Sequence, residues 1–66
     1  MEKAKLYYKS GDWNYYRTDK GETYSIRAGK YYFYHGNAFR KDNTEVKFID
    51  GDELKELKKK VEFVIN

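Results

Sequence analysis

The sequence predicts an α+β domain that is mainly antiparallel β, with a small curved sheet or barrel of five to six strands over residues 3–49 and one C-terminal α-helix over about 51–64. Short tyrosine-rich stretches alternate with turn clusters at Ser10-Gly11-Asp12, Asp19-Lys20-Gly21, Ala28-Gly29, Gly36-Asn37 and Lys41-Asp42-Asn43. After Ile49 the apolar spacing changes to that of a helix. The third observation is aromatic content: 8 Tyr, 4 Phe and 1 Trp in 66 residues. Each ring buries roughly 150–250 Å², so rings supply the apolar area that a chain without Cys must find.

The turn residues tolerate positive φ or bond locally to the backbone, which bounds candidate strands at 3–9, 13–18, 22–27, 30–35, a stub at 38–40, and 44–49. Connections this short favour antiparallel neighbours. Asp50-Gly51-Asp52-Glu53 sets a capping Asp three residues before a Glu, and Leu54, Leu57, Val61 and Val64 then recur at helical spacing. Acids open this helix and Lys58, Lys59 and Lys60 close it, the order a helix dipole prefers. Val61, Phe63 and Ile65 also alternate, so residues 61–66 have an edge strand as their alternative.

Gly11-Asp12-Trp13-Asn14-Tyr15-Tyr16 and Gly29-Lys30-Tyr31-Tyr32-Phe33-Tyr34 form a weak internal echo. The pattern is similar to the aromatic hairpin repeats of choline-binding cell-wall modules over about a third of the chain. Those modules stack several repeats, whereas this chain has two and then a helix; both segments also read as strands that need a large residue beside a Gly turn.

Much chemistry is excluded on composition. One His, two Ser and no Cys offer no activated nucleophile with a base beside it, and no catalytic residue is expected. His35, beside Gly36, reads as a turn histidine. No ligand set for zinc or calcium is present, so no metal or cofactor is expected. The five Gly are dispersed, which argues against a phosphate-cradling loop. No apolar run has transmembrane length and the N-terminus lacks a signal-like stretch, so a cytoplasmic protein without membrane contact is expected.

Strand alternation suggests a core face of Leu6, Tyr8, Trp13, Tyr15, Tyr24, Ile26, Tyr31, Phe33, Val46 and Phe48, covered by Leu54, Leu57, Val61 and Val64. The opposite face would then hold Lys5, Tyr7, Lys9, Tyr16, Arg27, Lys30, Tyr32, Tyr34 and Lys47, with Glu45 as its acid. Residues 1–49 carry ten Lys and Arg against six Asp and Glu, so the positive excess lies on the sheet. Bases interleaved with exposed rings suit nucleic acid, single-stranded above all, because cations neutralise phosphates and rings stack on bases. The same pattern also reads as plain sheet stabilisation, since Tyr favours strands and Lys protects edges. A small barrel with a C-terminal helix resembles in outline the archaeal chromatin proteins of SH3-like fold; the likeness is one of architecture. The alternative partner is a protein, met by a Tyr- and Trp-rich patch as in a small phage-type inhibitor or accessory protein.

Overall fold

The computed structural model describes residues 1–40 and 46–65. Its elements are β1 (Glu2–Ser10), β2 (Trp13–Thr18), β3 (Glu22–Arg27), β4 (Tyr31–Asn37), β5 (Lys47–Ile49), α1 (Gly51–Lys60) and β6 (Val61–Val64). The six strands form one sheet in the order β5-β4-β3-β2-β1-β6. All neighbours are antiparallel except β1 and β6, which run parallel. The sheet curls into a half-barrel whose edges are β5 and β6. Because these two strands lie at opposite edges, the chain between them must cross the sheet, and α1 does so over one face. No helix among the described residues is long and apolar enough to cross a membrane.

Two hairpin turns follow from Gly chemistry. Gly11 takes the left-handed conformation (φ 59°) at the first position of the two-residue loop joining Ser10 to Trp13, as a tight hairpin of this class requires. At Gly21 (φ 93°) a Cβ would lie 2.6 Å from Asn37 Oδ1 and 2.7 Å from the Phe39 ring, so any other residue would be strained and would push these side chains aside. Asn37 secures this corner by donating from Nδ2 to the Lys20 carbonyl (3.0 Å) and to Glu22 Oε1 (3.1 Å).

The helix side of the sheet is the core. Ala4, Tyr16, Ile26 and Val61 are buried there, with Leu6, Tyr32, Leu57 and Phe63 packed against them. Phe63 sits at the centre, its ring 5.2 Å from Tyr16, 5.5 Å from Tyr24 and 5.9 Å from Tyr32. Of the predicted core face, Leu6, Tyr24 and Ile26 lie on this side. Tyr8, Trp13, Tyr15, Tyr31, Phe33 and Phe48 lie on the other, and Tyr8, Tyr31, Val46 and Phe48 are about half exposed or more. Cross-strand pairing is the reason: Tyr16 faces Tyr24 and Asn14 faces Ile26, which turns Trp13 and Tyr15 the opposite way. A bulge at Tyr7 separates Leu6 from Tyr8, so these two also part company.

Three further expectations are corrected. The helix ends at Lys60, and residues 61–64 are the edge strand, which places Val61 and Phe63 in the core through strand alternation. Asp50 is the N-cap residue, but its side chain makes no capping bond; its extended backbone begins the helix and its carbonyl accepts from Leu54 N–H at 3.4 Å. Residues 38–40 form a turn in which Arg40 N–H donates to the Asn37 carbonyl (3.1 Å), not a strand. The predicted turn at 41–43 and the start of the last strand at Thr44 and Glu45 lie outside the described residues.

Candidate functional site

The sheet face away from α1 is built from three rows of paired residues. The middle row runs Tyr8, Tyr15, Ser25, Phe33, Phe48 across β1 to β5. At about 4.8 Å per strand it spans about 19 Å. One neighbouring row is Ser10, Trp13, Arg27, Tyr31, and the other is Lys5, Arg17, Thr23. Rings touch along and between rows: Tyr8 to Tyr15 at 5.5 Å, Trp13 to Phe33 at 5.5 Å, and Phe33 to Phe48 at 5.1 Å. The β1 bulge turns Tyr7 to this face too, 6.4 Å from Tyr15. The face is therefore a nearly continuous layer of rings that no element of the described chain covers.

Positive charge frames the rings. Arg17 stacks its guanidinium 4.3 Å from the Tyr7 ring centroid and donates from Nε to Thr23 Oγ1 at 3.3 Å, which holds it in place. Arg27 lies 5.9 Å from the Trp13 ring. Register places Lys3 and Lys5 on the same face, opposite Glu62 and Val64 of β6. The ion pairs found among the described residues, Lys20–Glu2, Lys47–Glu53 and Lys59–Glu56, engage none of these four cations. The helix side carries mixed charge: Asp52, Glu53 and Glu56 line a cleft there with Tyr24 and Tyr34, and Lys47 and Lys60 line it beside them. Burial, reinforced by Glu22, Tyr34 and Glu2, pushes the Tyr24 hydroxyl up to about 12.

At the middle of the ring layer Ser25 is fully buried, and its Oγ lies 2.5 Å from His35 Nε2. A bulge in β4, where His35 and Gly36 together oppose Thr23, brings the imidazole over Ser25 and beside Tyr15, with ring centroids 5.9 Å apart. Burial holds the His35 pKa below its ordinary value, so the ring is neutral at pH 7. A hydroxyl with no exposed surface cannot meet a substrate, so this pair works as a polar rivet between β3 and β4. His35 is thus a sheet residue with a partner, not a turn histidine.

The residues singled out from the sequence divide between the faces. Lys5, Tyr7 and Arg27 belong to the open face, and Lys30 stands at its rim in the β3–β4 turn. Tyr16 is 5% exposed, inside the core. Tyr32 lies beneath the helix with Lys58 Nζ 5.3 Å from its ring, Tyr34 donates its hydroxyl to Glu22, and Lys47 pairs with Glu53 at 2.8 Å. Lys9 pairs with Asn14 and so faces the helix side. Sequence reasoning missed Tyr8, Trp13, Tyr15, Arg17, Phe33 and Phe48. A two-residue loop at Gly11-Asp12 pairs Ser10 with Trp13 and hence Tyr8 with Tyr15, which groups these rings on one face but does not say that the face is uncovered.

Neither the known protein families, nor the curated proteins, nor the solved structures provide a match to this chain.

Proposed function

We propose that this chain is a non-enzymatic binding module that takes single-stranded nucleic acid across its open sheet face. The observation that carries the reading is the ring layer Tyr8, Tyr15, Phe33, Phe48 with Trp13, framed by Arg17, Arg27, Lys3 and Lys5. Unpaired bases stack on such rings at about 1–3 kcal/mol each, and cations at the margin take the phosphates. The non-enzymatic part is supported by the burial of Ser25, the hydroxyl nearest the sole histidine.

The test is titration of a labelled single-stranded oligonucleotide at several salt concentrations. With Lys3, Lys5, Arg17, Arg27 and Lys30 as the available cations, the slope of log Kobs against log salt should be negative and no steeper than about −3.5. Tyr8→Ala, at a ring that is 55% exposed, should weaken binding by about fivefold or more without changing that slope. Absence of binding at low salt refutes the reading. Capture of one specific protein that is lost in Tyr8→Ala, with oligonucleotide affinity indifferent to the ring, would assign the face to a protein partner instead.

A further inference from the structure

The open face holds a concavity whose chemistry is more selective than that of the ring layer around it. Trp13, Arg27 and Tyr31 stand side by side in one cross-strand row, and Phe33 lies behind them, its ring 5.5 Å from Trp13. Together they line a pocket of about 220 Å³. That is below the ~300–1,000 Å³ of sites for drug-sized ligands, and it is the scale of a single planar ring system. The pocket is preformed: Ala28 N–H donates to the Asp12 carbonyl at 3.3 Å, which ties together the two hairpin loops beside it.

We propose that this pocket is a base site that prefers guanine in a single strand; the inference rests on the single-strand reading above. The Trp13 and Phe33 rings offer apolar faces on which a planar base stacks. Arg27 is exposed, holds its guanidinium 5.9 Å from the Trp13 ring, forms no ion pair among the described residues, and carries a fork made only of N–H donors. Guanine answers that fork with two adjacent acceptors, O6 and N7, whereas the same edge of adenine sets a donor beside its acceptor. Lys30, next to Tyr31 at the rim, is placed for the phosphate of the bound nucleotide.

The experiment uses the full chain and short oligothymidine strands that carry one central guanine, adenine or cytosine. Affinity is read by anisotropy of the labelled strand, and occupancy of the pocket by emission of Trp13, the single tryptophan. The guanine strand should bind at least about fivefold tighter than the others and quench Trp13. Arg27→Lys keeps the charge but removes the fork, so the guanine advantage should vanish. Equal affinity for all three bases, preference for adenine or cytosine, unchanged Trp13 emission, or an Arg27→Lys chain that still prefers guanine would each overturn the pocket and leave the single-strand reading standing. Failure of every strand to bind at low salt would overturn both.

Discussion

Ser25 is a small residue between large ones: Tyr15 and Phe33 flank it in the middle row, and no part of it is exposed. Burying a hydroxyl without a partner costs about 1–3 kcal/mol, and His35 supplies that partner. Because burial holds the folded His35 pKa below 6.5, the unfolded chain takes up a proton that the folded chain refuses. The contribution of neutral His35 is whole above the unfolded value of 6.5 and is lost as pH falls from there toward the folded pKa. Denaturant unfolding at pH 7 and at about pH 5 should therefore show a loss of stability on acidification. In His35→Gln, which keeps a hydrogen-bonding side chain and does not titrate, that loss should be smaller. Equal losses in the two proteins would mean that His35 is not buried in this way.

At the scale of elements, β6 matters more than its four residues suggest. No residue of α1 is buried; Leu54 and Leu57 are half-covered, so the helix alone seals little. Phe63 of β6 fills the space between three tyrosine rings. Removing a large core ring costs about 3–5 kcal/mol, and Phe63 is only half-buried, which points to about 3 kcal/mol. A chain of this length has a stability of about 3–10 kcal/mol in all. Phe63→Ala should therefore lower the thermal midpoint by many degrees, and a melt like that of the unmutated protein would show that β6 does not hold the core. The strand was legible in the sequence as the alternation of Val61, Phe63 and Ile65. It competed with a helical stripe through Leu54, Leu57, Val61 and Val64 that fits the same residues, and what decides between them is pairing with β1, a long-range contact.

For the whole molecule, the first three turns and the start of the helix were readable because Gly, Asp and Asn act locally, whereas the turn expected at Gly36-Asn37 is strand, both residues belonging to β4. The identity of the two faces was not readable. β2 and β4 have large apolar rings on both sides, Trp13 and Tyr15 against Tyr16, Tyr31 and Phe33 against Tyr32 and Tyr34, so alternation alone does not say which set is covered. That choice is made by the pairing of strands, by the bulge at Tyr7, and by α1 crossing one side only. Hence Tyr16 and Tyr32 are found under the helix while Tyr8 and Phe33 are on the open face. The consequence is a molecule with a cleft of mixed charge beside its helix and a basic, ring-covered sheet face opposite. Amide chemical-shift mapping with a saturating single-stranded oligonucleotide at low salt tests that division most directly. Shifts concentrated at Tyr8, Trp13, Tyr15, Arg17, Arg27 and Phe33, with Leu54 to Lys60 of α1 unmoved, are the predicted result; shifts centred on α1 and the cleft beside it, or none anywhere, would contradict it.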